Sequence, residues 1–193
     1  AQMPPALPRA VIATEDRRFY QHFGMDLIGF LRAMAANFSA GRVVQGGSTI
    51  TQQLAKNLFL TPERTMLRKA RELLLALWLE ARLSKDDILT LYLNRIYMGA
   101  GAYGVEAASR LYFGKPALEL ELAEAALIAG ILQTPTRQSP LVNPEWARER
   151  RDYVLGEMRD NGYITADDAE AAIAGDMARP GTALGGLFVV DEF

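Results

Sequence analysis

Cysteine is absent from this 193-residue chain, and histidine occurs once, as His22. The first absence excludes a disulfide framework, a thiolate zinc site and a cysteine nucleophile. The second excludes a metal centre built on several histidines, or a pair of histidine acid/bases. Acid/base work therefore falls mainly to Asp, Glu, Lys or Tyr. An excess of one charge is lacking too: 21 Lys and Arg stand against 23 Asp and Glu, a formal net charge of −2. That near balance argues against a general nucleic-acid binder, although a local basic cluster could still hold a smaller anion. No apolar run approaches the roughly 20 residues that span a bilayer, and no signal peptide is visible.

What is present is apolar mass. Hydrophobic residues make up 50% of the chain, enough for a sizeable core in one domain, or one domain with a small lobe. The opening Ala1-Gln2-Met3-Pro4-Pro5 reads as the interior of a longer chain. The closing "GGLFVVDEF" reads as the first strand of a further part, so an excised domain is expected.

The pattern is overwhelmingly helical. In 7–20, Leu7, Val11 and Phe19 recur on one helical face, widened by Ala10 and Ile12, and Pro8 suits a first turn. A short apolar helix is expected over 26–39, then a mobile glycine-rich loop over 40–47. Ser48 is placed to cap a helix over 49–59, and Thr61-Pro62 to open another that runs to about Leu83. Ser84-Lys85-Asp86-Asp87 resembles a capping box, with Asp in place of Glu or Gln, for a helix that ends between Asn94 and Met98. Further helices are expected at 104–112, 118–132, 144–160 and 165–174, with "QTPTRQSPLVNP" as a proline-rich surface connection and a linker after Ala174.

Four stretches could carry chemistry. If 10–20 is helical, Glu15 shares a face with Val11 and Phe19, while Asp16 and Arg17 project elsewhere. A carboxylate on an apolar stripe is partly desolvated and is a better base for it. The plainer reading is a surface Glu near Arg18. His22 is expected to hold the turn that follows. In "GGSTITQQLAKN", Thr49, Gln52, Gln53 and Lys56 share one polar face, while Ile50, Leu54 and Leu58 share the buried one. Amide side chains suit sugar hydroxyls and N-acetyl groups, and Lys56 adds a point charge for an anion. A solvated amphipathic helix would show the same pattern.

In "ERTMLRKARE", Arg64, Arg68, Lys69 and Arg71 cluster, and Glu72 can pair with Arg68 or Lys69. Cations in excess of local acids invite a phosphate. The alternative is a charged, solvent-facing first turn. In "LYLNRIYMGAGAYGVEAASRLYFGK" tyrosines interleave with glycines, and mainly structural roles are expected. Asn94 could bond to a turn backbone, and Glu106 could do the same or sit in a cleft.

In this order, "EDRRFYQHFG", "GGSTITQQLAKN", "RKARE" and "LYLNRIYMGAGAYGVEAAS" resemble the signatures of the peptidoglycan glycosyltransferase domain of class A penicillin-binding proteins and their monofunctional relatives. "AEAALIAGILQTPTRQSP" and "RRDYVLGEMRDNGYIT" are similar to later parts of that family. The resemblance implies a mainly α, lysozyme-like fold with a large head lobe and a small membrane-facing jaw lobe. It implies a glycosyltransferase domain over 1–176, a jaw at about 25–47, and a linker at 177–193 towards a missing transpeptidase domain.

It implies polymerisation of lipid II into a growing glycan strand at the outer face of the bacterial cytoplasmic membrane, where an N-terminal transmembrane helix usually anchors the family. By the same resemblance Glu15 matches the general base and Glu72 the second carboxylate. Lys56, Arg64 and Lys69 match phosphate-handling positions. Gln53, Ser48 and Thr49 match cleft residues, and Arg32 a further cleft arginine. No cofactor is obligatory; magnesium or manganese could help to neutralise a pyrophosphate, but no dedicated metal cage is legible.

The apolar residues of 25–45 fit either an interfacial jaw or ordinary core. Two rival functions stand beside this one. A lysozyme-like glycan-cleaving enzyme would share the fold and one Glu, but has no need of clustered phosphate-binding cations. A non-catalytic lipid- or glycan-binding module needs no base.

Overall fold

The computed structural model describes residues 3–42, 46–60, 65–136 and 139–175. Those residues are mainly helical, and their one β feature is an isolated bridge between Tyr97 and Tyr103. They form two compact units: one holds Val11–Ile96, the other Ala1–Ala10 with Tyr97–Phe193. The expected linker at 177–193, the Thr61-Pro62 helix start and Arg64 lie outside the described residues, as do positions 43–45 of the expected mobile loop.

Helix α1, Ala6–Glu15, buries Leu7, Ala10, Val11, Ile12 and Ala13. It stops at Glu15 and does not run to residue 20, as the periodicity predicts. Asp16, Arg17 and Arg18 form a turn, and Phe19–Gln21 is a separate 3₁₀ turn. Phe19 is buried all the same, so an apolar spacing of eight was kept by two short elements.

The unit of Val11–Ile96 continues with α2, Leu27–Ala40, capped by Asp26, whose carboxylate accepts from Gly29 N at 2.9 Å. Helix α3, Ile50–Phe59, is capped by Thr49 rather than Ser48. Helix α4, Met66–Glu80, is capped by Thr65 and stops three residues before the predicted Leu83. Helix α5, Lys85–Arg95, opens on the predicted capping box, with both halves formed between Ser84 and Asp87. Aspartate works there because its shorter side chain still reaches the Ser84 amide, at 3.2 Å.

Helix α3 packs on α4 and α5 through Ile50, Leu54, Ala55, Ala76, Leu79, Ile88, Leu89 and Leu93, all buried. The buried Glu80 carboxylate ties the three together: Thr51 Oγ1 and Lys85 Nζ each donate to its Oε1 at 2.6 Å. Helix α2 is different. Ala33 is its one buried residue, while Leu27, Ile28, Phe30, Leu31, Met34 and Phe38 are exposed, Phe38 by 90%. Within this unit that settles one ambiguity: these residues are not core.

In the other unit, α6, Val105–Phe113, leads through a 3₁₀ turn at Ala117–Glu119 to α7, Leu122–Ile131. Helix α7 is buried from Glu124 to Ile131 and packs on α8, Pro144–Asp160, and α9, Ala166–Ala174. The buried stripe of α8, Ala147, Arg151, Val154, Leu155 and Met158, keeps a 3.6-residue period. Arg151 belongs to it because its guanidinium reaches Ile173 O near the end of α9, at 3.1 Å.

Glu106 takes the turn-bonding role: Ala117 N donates to its Oε2 at 2.9 Å. That hydrogen bond, followed by the one from Arg110, holds its carboxyl below the usual carboxylate range. Asn94 bonds back to Thr90 O within its own helix. The proline-rich connection is not wholly superficial, since Ser139 and Pro140 are buried.

Gly99 shows why glycine is needed beneath that connection. Its φ is +89°, and an added Cβ would lie 2.2 Å from Pro135 O. Gly101, at φ +80°, has open space around it. Gly101→Ala is expected to cost roughly 1–2 kcal/mol, the scale of left-handed backbone strain. Gly99→Ala adds a backbone clash and is expected to cost at least about 1 kcal/mol more. Urea midpoints of the two variants compare these directly, and equal midpoints would refute the close approach.

Candidate active site

The polar residues of the opening motif sit at the end of α1, and two neighbours diverge there. Glu15, the last residue of the helix, is half-buried and accepts a hydrogen bond from Gln53 Nε2 at 2.9 Å. Asp16 does not project away from the fold. It is only 6% exposed. Its carboxylate meets His22 Nε2 at 2.9 and 3.0 Å and accepts from the Ile50 amide at 3.0 Å. Ile50 is the first residue of α3, so Asp16 places a negative charge at that helix's positive end. His22 thus holds the turn as the sequence suggests, and its partner is the residue that periodicity dismissed. Nothing in spacing alone marks Asp16, because its partners lie 6 and 34 residues away.

Helix α3 supplies the facing wall. Thr49 Oγ1 accepts from Gln52 N and donates to Gly24 O at 2.8 Å. Gln52 Nε2 donates to the same carbonyl at 3.2 Å. Both side chains are buried, so the expected polar face is only partly solvated; Lys56 alone of the four is exposed. Gln53 stands between. Its Nε2 faces Glu15, and its Oε1 accepts from Tyr92 Oη at 2.9 Å. Tyr92 is buried on α5. Burial first, then the charges of Glu15 and Asp16, push its hydroxyl well above the usual tyrosine range, so it keeps its proton.

The basic stretch on α4 is organised by Glu72, 3% exposed. Lys69 Nζ donates to Glu72 Oε1, and Arg68 Nη1 to Glu72 Oε2 at 3.1 Å. Both pairings anticipated from the helical spacing form together. Lys69 also donates to Ser48 Oγ at 3.0 Å and reaches Gln52 Oε1 at 3.4 Å. Two cations on one buried carboxylate leave a net positive group whose exposed end is Lys69. Arg71 is exposed.

Two neighbouring recesses join these groups. One is lined by Glu15, Asp16, Arg17, Asp26, Arg32 and Ser48 among others, which brings the anticipated Arg32 to the Glu15 cleft. The other, of roughly 430 Å³, runs from Met25, Leu27, Phe30 and Leu73 to Ser48, Gln52 and Lys69. Asp26, Phe30, Gly47 and Ser48 border both. The pair offers a carboxylate hydrogen-bonded to Gln53, an ammonium hydrogen-bonded to Ser48 on the shared border, and an apolar wall. Sequence reasoning missed Asp26 and Tyr92 as members of this site; Arg68 it anticipated as a partner of Glu72. Among the described residues no three His, Asp or Glu side chains converge as a metal cage needs.

A family model described as Transglycosylase matches residues 1–159. Penicillin-binding protein 1A of Aquifex aeolicus (strain VF5) is 53% identical over 172 residues, 89% of this chain and 24% of that protein. The corresponding protein of Escherichia coli (strain K12) is 52% identical over 164 residues, 85% of this chain and 19% of that protein. Penicillin-binding protein 1F of Bacillus subtilis (strain 168) is 47% identical over 171 residues, 89% of this chain and 24% of that protein. The chain spans about a quarter or less of the length of these relatives. A crystal structure of penicillin-binding protein 1A from Haemophilus influenzae aligns at 34% identity over 67% of this chain and 16% of that one, with a TM-score of 0.47.

The geometry makes Asp16 the structural member of the Glu15-Asp16 pair. Asp16→Ala strands the Ile50 amide and the His22 imidazole, and is expected to cost about 2–4 kcal/mol. Asp16→Asn keeps one acceptor and should cost about half as much. Denaturant unfolding measures both, and a loss below about 0.5 kcal/mol for Asp16→Ala would contradict the anchoring role.

Proposed function

The chain belongs to the transglycosylase family, and from that premise we propose that it is a peptidoglycan glycosyltransferase that polymerises lipid II. The observation that carries the reading is the continuity of the two recesses. A candidate base, Glu15, and a cation held ready, Lys69, share one border through Ser48, with an apolar wall beyond.

In this mechanism Glu15 removes the proton from the 4-hydroxyl of the acceptor N-acetylglucosamine. The hydroxyl oxygen attacks C1 of the donor N-acetylmuramic acid as the bond to the pyrophosphate breaks, so α becomes β. Negative charge grows on the departing lipid pyrophosphate, where preorganised cations act most strongly. Lys69 and Arg68 are fixed by Glu72 before substrate arrives, so they need little reorganisation. Arg32 of α2 lines the Glu15 recess, and by the family resemblance Lys56 and Arg64 would serve the same phosphates. Glu72 acts here by orienting cations. Ser48 shares its hydroxyl with Lys69, and Thr49, already committed to Gly24 and Gln52, shapes the cleft floor.

The exposed apolar side chains of α2 form the jaw of this reading and enter the lipid interface, which brings the apolar recess to the level of a lipid tail. Among the described residues no helix is long and apolar enough to cross a membrane. The site would work on the outer face of the cytoplasmic membrane, as the glycosyltransferase part of a longer bifunctional protein with a transpeptidase domain.

Glu15→Gln keeps shape and removes the base. Polymerisation of lipid II in detergent or liposomes is expected to fall by at least about 100-fold, with the melting curve unchanged. A fully active Glu15→Gln would remove Glu15 from the chemistry. For the jaw, the double variant Leu27→Glu with Phe38→Glu should bind vesicles of phosphatidylethanolamine and phosphatidylglycerol at least about tenfold more weakly. Equal co-sedimentation of wild type and variant would argue that α2 meets something other than lipid.

A further inference from the structure

We propose that Tyr92 is a positioning residue for Glu15, acting through the side-chain amide of Gln53. The inference rests on the reading of Glu15 as the base and adds a residue to it. Glu15, Gln53 and Tyr92 form an unbroken chain from α1 through α3 to α5, with two hydrogen bonds of 2.9 Å each.

The two ends of an amide are chemically opposite. Gln53 could present either its oxygen or its NH₂ to Glu15, and a carboxylate accepts only the second. The choice is made at the far end. Tyr92 lies wholly inside the fold, and its hydroxyl proton points at Gln53 Oε1. That donation commits Oε1, which leaves Nε2 aimed at Glu15 Oε2. Chained hydrogen bonds also polarise one another, so the Tyr92 bond makes the Gln53 NH₂ a better donor. The result is a carboxylate oriented through its Oε2, the kind of support a base needs. Asp16, one residue on, is tied to the first amide of α3, so helix and side chain are fixed against the same partner.

Other charges around Glu15 bear on any pH readout. Asp16, Arg17, Asp26 and Arg32 line its recess, and Lys69 reaches Ser48 on the recess wall. Tyr92→Phe alters none of them. It removes one oxygen from a buried ring and frees the Gln53 amide to turn. Loss or reversal of the Gln53 donor disfavours the ionised Glu15, so the acid limb of the pH–rate profile should move to higher pH.

The test compares wild type, Tyr92→Phe, Gln53→Leu and the double variant in lipid II polymerisation, with pH profiles. Each single variant is expected to lose about tenfold in kcat, with KM held within about twofold and the acid limb moved up. The double variant should be no slower than Gln53→Leu, because Tyr92 has nothing left to act through. Losses that multiply, or a Tyr92→Phe profile that matches wild type, would overturn the inference. A purely structural tyrosine would lower the melting temperature and leave the acid limb where it was.

A second measurement does not need turnover. The midpoint of the Glu15 carboxyl titration, followed by ¹³C NMR in protein without substrate, should rise in both single variants. A wild type that makes no polymer would defeat the functional reading, and the titration would still decide the link between Tyr92 and Glu15. An unchanged midpoint in a folded Tyr92→Phe would end the proposal.

Discussion

The Asp16 carboxylate is the interaction on which the rest of the site depends. It sits where α1 has just ended and joins three things: the turn through His22, the end of α1, and the first amide of α3. A buried carboxylate is costly unless its oxygens are filled. Here an imidazole N–H and a backbone N–H fill them, and a helix dipole supports the charge. Glu15 then meets Gln53 because Gln53 lies one turn beyond Ile50 on α3. Glu15 is thus placed by its neighbour.

A second buried carboxylate governs the cations. Glu72 takes Arg68 four residues earlier and Lys69 three residues earlier, which a helix allows together. Two positive groups around one buried negative one are locally frustrated. They are held close and yet not neutralised, which leaves Lys69 able to reach Ser48 and to face the recess. Removing Glu72 would release both side chains into solvent and lose the geometry before any substrate arrived.

The third constraint is the apolar face of α2, exposed among the described residues. A helix with Leu, Ile, Phe and Met on several sides belongs in a core or at a lipid interface. In its own unit α2 buries only Ala33. Composition could not choose between the two settings, because both require the same residues. Tertiary packing in this unit spends its core positions on α3, α4 and α5, and α2 is left over.

Much of the fold was legible from local signals. The Ser84–Asp87 box acts over a few residues, so sequence specifies it directly, and the spans expected at 144–160 and 165–174 match α8 and α9 closely. The failures share one cause. The periodicity of 7–20 was continued through Phe19 because apolar spacing cannot register a break when the next element returns a buried residue at the same interval. Ser48 and Thr49 both cap well; Thr49 takes the cap, its hydroxyl also donating to Gly24 O, while Ser48 meets Lys69.

By itself the sequence determined most of the helix spans, that Glu15 ends on an apolar stripe, and that Glu72 can meet two cations. Each of these follows from contacts within about four residues, where backbone geometry fixes who can touch. Tertiary structure alone decided that Asp16 is buried, that Gln53 turns its NH₂ to Glu15, and that Tyr92 stands behind it. Those contacts join residues 34, 38 and 39 positions apart. No periodicity reaches that far, because the distance is closed by the packing of α3 on α5 and by the satisfaction of buried polar atoms.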